Sequence, residues 1–180
     1  MGDSMKNNQF IDFLPLLTDR LVIKSTTVND IDLILKLDKQ EKTQMFLGGI
    51  KNKTYDERIM FLKKKEEKFK KGIVSSLTVY LESIPIGCIG IKINEELNEG
   101  DLSYIFDFDY TKCGYCYESS KKIIDVCFKM LNLKCIKADT VLNNYDSIKV
   151  LKKLGFEETG TLKNEEEIEF KCFILKNSNM

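Results

Sequence analysis

The sequence predicts one α/β domain, a mixed sheet of about seven strands with helices on both faces. Three observations carry this expectation. Apolar residues alternate with a period of two through the middle of the chain, at Leu77, Val79 and Leu81 and again at Ile89, Ile91 and Ile93. On either side they recur at helical spacing, at Ile31, Ile34, Leu35 and at Ser119, Ile123, Val126 and Met130. Between Asp101 and Phe156, segments of the two kinds follow one another with almost no intervening chain.

Residues 1–12 read as a leader or tag-like segment, 13–176 as the single domain and 177–180 as a frayed tail. Leu21-Val22-Ile23 opens a short strand. Thr27-x-x-Asp30 is a variant capping box, in which each side chain satisfies a backbone N–H of the other end, so a helix starts near Ile31. Thr54-x-x-Glu57 starts a second helix in the same way, ending before Gly72. Its charges from Lys63 to Lys71 read as a solvated face. No element is assigned to the loop Gln40–Lys53.

Two alternating strands follow, with Ser83-Ile84-Pro85 as the turn between them and Glu95–Gly100 as the turn after them. A third strand carries Leu102, Tyr104, Phe106 and Phe108 on one face. Thr111-Lys112-Cys113-Gly114 then turns straight into a helix beginning near Tyr115. Cys135–Val141 is the next strand, and a helix from about Tyr145 to Leu154 stops at Gly155. The last two strands fall near Phe156–Leu162 and Ile168–Leu175.

Composition excludes several chemistries. With 43% hydrophobic and 31% charged residues the chain reads as globular and soluble. Lys+Arg and Asp+Glu both number 28, so no bulk charge points to nucleic acid or an anionic membrane, and a cytoplasmic setting is expected. There is no histidine, which removes Ser-His-Asp, Cys-His and His-ligand zinc schemes together. The six cysteines read as reduced thiols. Cys113-x-x-Cys116 has neither a second such pair nor a histidine to complete a zinc shell, so no metal is expected.

The turn before Tyr115 is the chemical lead. N–H groups at a helix start have no intrahelical partner and carry the positive end of the macrodipole, so they suit a phosphate. Together with the strand Tyr104-Ile105-Phe106-Asp107 and the run Asn144-x-x-Ser147-x-x-Val150-Leu151-x-Lys153-Leu154-Gly155-Phe156, this turn resembles the GNAT superfamily of acetyl-CoA-dependent N-acetyltransferases. The branch most similar includes the ribosomal-protein alanine N-acetyltransferases. Leu17-Thr18-Asp19-Arg20-Leu21-Val22-Ile23 and Pro85-Ile86-Gly87-Cys88-Ile89-Gly90 match the same branch, so the resemblance spans roughly residues 16–175. It implies a mostly antiparallel central sheet.

The resemblance also implies a site. Backbone N–H groups of Lys112, Cys113, Gly114, Tyr115, Cys116 and Tyr117 would hold the pyrophosphate of acetyl-CoA, the cosubstrate. Ile105, Phe106 and Asp107 on one strand, with Asn144 opposite, would flank the pantetheine arm. Thr111 replaces a Gln or Arg of the family pattern and removes a cation, and Cys116 replaces a Gly or Ala. Leu151 stands where many members carry a tyrosine acid. Ser147 is the branch's substitute, read here either as the proton donor to the departing thiolate or as a helix-positioning hydrogen bonder. Asp101 is the first candidate for a carboxylate that helps deprotonate the amine, against a solvated turn aspartate; Glu82 and Glu95 are weaker candidates.

The implied activity is acetyl transfer from acetyl-CoA to a primary amine, by direct attack through a tetrahedral intermediate. The acceptor could be a protein N-terminus, a polyamine or another small-molecule amine. An acyl-CoA-binding module without catalysis is the alternative. A monomer or a homodimer is expected.

Overall fold

The computed structural model describes residues 10–71 and 76–178. Its core is one eight-stranded sheet in the order β1-β2-β3-β4-β5-β6-β8-β7. The strands are β1 (Leu16–Leu17), β2 (Leu21–Ser25), β3 (Leu77–Leu81), β4 (Ile84–Asn94), β5 (Glu99–Phe106), β6 (Cys135–Val141), β7 (Glu157–Lys163) and β8 (Glu169–Lys176). Every neighbouring pair is antiparallel except β5 and β6, which run parallel. The strand beyond the expected seven is β1, two residues long and too short to show a period.

The helices are α1 (Ile31–Lys39), α2 (Glu41–Gln44), α3 (Tyr55–Lys70), α4 (Tyr115–Lys129) and α5 (Tyr145–Lys153). Both Thr27 and Thr54 close the capping boxes that their spacing predicts, Thr27 on a 3-10 turn leading into α1. The expected stop of α3 at Gly72 lies outside the described residues. α2 falls in the loop left without an element; four residues are too few to display amphipathic spacing.

β4 is buried from Ile86 to Ile91 on both its faces, because α4 packs on one side and α1 on the other. On the α4 side, Ile89, Ile91, Leu102 and Phe106 join Ile123, Val126 and Cys127 in the main core. On the α1 side, Cys88 packs with Leu33 and Leu37, and Ile105 packs against this group. Gly87 allows the close approach of β5, since a Cβ there would stand 2.5 Å from the Phe106 ring.

Both proposed chain ends differ in detail. Residues 1–9 of the leader lie outside the described residues, but Phe10–Phe13 form a 3-10 turn and Phe10 is buried in the main core. Asn177, placed in the tail, is buried and donates from its backbone N to the Lys134 carbonyl and from Nδ2 to the Leu133 carbonyl. No helix among the described residues is long and apolar enough to cross a membrane.

Candidate active site

The parallel pair that centres the sheet is short. β5 and β6 pair only at Glu99 with Cys135, Gly100 with Ile136 and Asp101 with Lys137. Beyond that point β5 stays on β4 as far as Phe106, while β6 stays on β8 as far as Val141. The two strands therefore diverge and leave a slot in the sheet, edged by β5 from Leu102 onward. A β-edge with unpaired N–H and C=O groups is a ready partner for an extended ligand carrying amides. α4 and α5 both begin at this end, where ligands of parallel strands characteristically bind.

At the start of α4, Gly114 has φ +85° and provides no side-chain cap. The first N–H groups of the helix are thus left to an outside acceptor. Lys112 also has positive φ, at +61°, a backbone conformation found in anion-binding turns. A side chain at Gly114 would be strained by its φ, and its Cβ would meet the Arg20 guanidinium at 3.4 Å.

Arg20 is the residue sequence reasoning missed at this turn. It enters from the β1–β2 connection and donates from Nη1 to the Cys113 carbonyl at 3.2 Å. Its Nε and Nη2 bind Glu118 at 2.7 and 2.6 Å, and its guanidinium lies 4.5 Å from the Tyr115 ring centre. Glu118 also accepts from Thr18 Oγ1 at 2.6 Å. Burial alone would raise the Glu118 carboxyl, but the bonds from Thr18 and Arg20 hold it below its ordinary value. Arg20 thus ties the turn to the β1–β2 connection, its charge matched by Glu118. The Thr18-Asp19-Arg20 segment in the sequence was the available signal.

Across the slot, Asn144 caps α5 by accepting from the Ser147 backbone N at 3.2 Å. Ser147 Oγ lies 2.8 Å from the Tyr104 hydroxyl, whose side chain comes from β5 on the α4 side. Burial pushes the Tyr104 hydroxyl well above its ordinary value, so it stays protonated. In the sequence Tyr104 stood on an alternating strand face and in the Tyr104–Asp107 motif, with no role of its own. Leu151 is buried at 1% exposure in the core and offers nothing to the slot. Lys112 approaches Asp146 of α5 at 4.0 Å, and Lys153 stands 4.4 Å from the Tyr117 ring centre.

The structure therefore brings together Lys112, Cys113, Gly114, Tyr115, Cys116 and Tyr117 at one end of the slot, with Ile105 and Phe106 on its edge and Asn144 and Ser147 facing them. Asp107 is placed differently. Its backbone N donates to Ile86, its carbonyl accepts from Tyr110, and its carboxylate accepts from Lys36 Nζ at 2.5 Å and Gln40 Nε2 at 2.7 Å. Burial alone would raise this carboxyl, but those donors hold it down. Asp107 closes the end of β5 against α1 and α2 rather than offering a free group. Asp101 is exposed and sits opposite Lys92 and Lys137, where β5 is still paired on both edges and four residues before Ile105. Glu82 and Glu95 lie in the turns at the two ends of β4.

Cys113 is exposed, whereas burial pushes the Cys116 thiol up to about 12. The two positions thus differ in reactivity rather than forming a matched pair. Among the described residues no cluster of three metal-ligating side chains occurs.

Two cavities flank the slot's far side. One, of about 160 Å³, lies beneath α1 and α3 and reaches Ile105. The other, of about 440 Å³, lies between Met45 and Phe46, the loop Leu142–Asn143 and the β7–β8 connection at Glu167 and Ile168.

Comparison with known proteins agrees with this fold. The family model of the acetyltransferase (GNAT) domain matches residues 20–157. An uncharacterized N-acetyltransferase p20 of Bacillus licheniformis is 32% identical over 83 residues, 46% of this chain and 47% of that protein, so the match spans about half of the relative's length. Among solved structures, the ribosomal-protein-S5-alanine acetyltransferase of Vibrio fischeri superposes with TM-score 0.73 at 19% identity, covering 91% of this chain and 97% of that one. The spermidine N-acetyltransferase of Vibrio cholerae, in complex with CoA and spermine, gives TM-score 0.76 at 17% identity, covering 89% and 98%.

Proposed function

This chain belongs to the acetyltransferase (GNAT) family, and on that premise we propose that it transfers an acetyl group from acetyl-CoA to a primary amine. The observation that carries the reading is the slot between β5 and β6, opening beyond Asp101 and Lys137 and facing the uncapped start of α4. The residues fit the cosubstrate: an uncapped amide turn for a pyrophosphate, and an extended strand edge for an amide-bearing arm.

When bound, acetyl-CoA supplies an activated acetyl thioester. The chain's own contributions follow from the geometry. Amides from Lys112 to Tyr117 bind phosphate, and Arg20 holds their turn in shape through Cys113 and Glu118. The edge of β5 at Ile105 and Phe106 orients the arm and offers an N–H toward the carbonyl oxygen. Ser147 and Tyr104 form a hydroxyl pair that donates a hydrogen bond to the leaving sulfur, which takes its proton through solvent from the attacking amine. A thiol leaves at a pKa near 8.5, so a weak donor is sufficient here. The amine acceptor approaches from the cavities on the far side of the sheet.

Thiol release from acetyl-CoA, followed with a panel of peptides, polyamines, amino acids and other small amines, tests the proposal. Amine-dependent release together with a product heavier by one acetyl group is expected. Tight acetyl-CoA binding with no release on any amine would instead make the chain an acyl-CoA-binding module.

A further inference from the structure

The smaller cavity carries an unbalanced set of groups. Lys51, Arg58 and Lys65 line it together with one carboxylate, Asp38. That carboxylate is spoken for, since Arg58 binds its two oxygens from Nε at 2.5 Å and Nη2 at 2.6 Å. Among the described residues Lys65 forms no ion pair; its ammonium lies 4.9 Å from the Phe61 ring centre. Burial lowers the pKa of that ammonium, which shows a cation desolvated without a matching anion.

A second observation is independent of charge. Gln44 is 1% exposed, and its Nε2 donates to the Leu37 carbonyl at 2.9 Å. Its Oε1 has no partner at all, although a buried acceptor ordinarily has one. Gln44 lines the same cavity. The site thus holds one half-buried cation lacking an anion and one buried oxygen lacking a donor. The rest of its wall includes Phe61, Leu62 and Ile105, which are apolar.

We infer that this cavity seats the acceptor, and that the acceptor is a small apolar amino acid or a similar amino carboxylate. Its carboxylate pairs with Lys65 and its amine donates to Gln44 Oε1, while its apolar part lies on the wall. This rests on the acetyl-transfer reading above. About 160 Å³ is close to the engineered cavity of roughly 150 Å³ that takes benzene, so a guest of about six heavy atoms fits. The position is suitable as well. Gln44 belongs to α2, whose Thr43 Oγ1 donates to the Phe106 carbonyl at 3.3 Å, and Ile105 lies in the cavity wall. An amine held at Gln44 is therefore beside the open edge of β5.

The larger cavity argues for a different guest, because Glu167 and Glu169 would draw a polycation. Both of those carboxylates already share Lys163, at 2.9 and 3.9 Å. The smaller cavity keeps its unmatched groups, and it is the one in contact with Ile105.

Calorimetric titration of the full chain saturated with coenzyme A tests the inference. L-Alanine, L-2-aminobutyrate and L-valine are compared with their carboxamides, which keep the amine and lose the negative charge, and with spermidine. At least one amino acid is expected to bind ten or more times tighter than its amide. Lys65→Met should abolish that preference while leaving coenzyme A affinity intact and the thermal unfolding midpoint no lower, since it removes a poorly solvated charge. Equal or tighter binding of the amides, a preference that survives Lys65→Met, or no binding by any amino acid overturns the inference. Thiol release separates the two readings. Release with spermidine or amides alone keeps acetyl transfer and sinks the amino carboxylate, whereas Lys65-dependent amino acid binding with no release on any amine leaves an amino carboxylate site in the cavity but sinks acetyl transfer and with it the acceptor role.

Discussion

At the scale of single residues, the site is built from groups whose positions are set by backbone needs. Gly114 is there because its φ of +85° is one that a side chain strains. Asn144 is a helix cap before it is anything else. These roles were legible in the sequence, since a glycine before a helix and an asparagine three residues before Ser147 carry their mechanism with them. Arg20 and Tyr104 were not legible as site residues. Their significance depends on partners 98 and 43 residues away in the chain, Glu118 and Ser147. Arg20→Met should raise the KM for acetyl-CoA roughly tenfold with kcat little changed, because the residue shapes the turn without touching the reacting atoms. Steady-state kinetics with varied acetyl-CoA checks this. Ser147→Ala and Tyr104→Phe should each lower kcat by roughly 10–100-fold, and the double variant should be little worse than the poorer single, as expected for one hydrogen-bond-donating unit. Additive losses in kcat would assign the two hydroxyls separate tasks.

At the scale of elements, the periodicities identified seven strands and four helices close to their observed bounds. β6 runs from Cys135 to Val141 as expected, and α5 ends one residue before Leu154. What a period cannot carry is register. The alternation through Leu102, Tyr104 and Phe106 marks a strand face, but says nothing about where β5 loses β6 as a neighbour. The slot is thus a property of pairing, and only the three-residue register reveals it. The same blindness affected Asp101, which alternation puts on the same face as Ile105 yet four residues short of it, where both edges of β5 are paired. The contact between α1 and α3 gives another element-level test. Arg58 of α3 binds Asp38 of α1 with side chains only 13% and 7% exposed. Arg58→Met leaves a buried carboxylate alone and should cost roughly 3–5 kcal/mol of unfolding free energy in urea titrations. Adding Asp38→Asn should recover a part of that loss, because the stranded charge is then gone.

At the scale of the whole molecule, burial on both faces of the sheet leaves its mark on pH dependence. Burial pushes the thiols of Cys88, Cys116 and Cys127 from an ordinary 9 up to about 11, 12 and 12. The folded chain keeps protons there that the unfolded chain gives up. Their contribution to stability is full below pH 9 and is lost as pH rises toward 11–12, at about 1.4 kcal/mol per pH unit for each thiol. Lys65 works in the opposite sense, since burial depresses its ammonium in the folded state. Thermal unfolding midpoints under reducing conditions should therefore fall between pH 8 and pH 10.5; a flat or rising profile would contradict this account of the buried thiols.

The architecture as a whole supports one central claim: the slot edged by β5 and the uncapped start of α4 form an acetyl-CoA site. Calorimetric titration of acetyl-CoA into the full chain and into Gly114→Val tests it most directly. The account predicts saturable binding of one acetyl-CoA per chain, at least tenfold weaker in Gly114→Val, whose side chain distorts the phosphate turn without reaching β5. An absence of binding to the unaltered chain, or an unchanged affinity in a folded Gly114→Val protein, would contradict it.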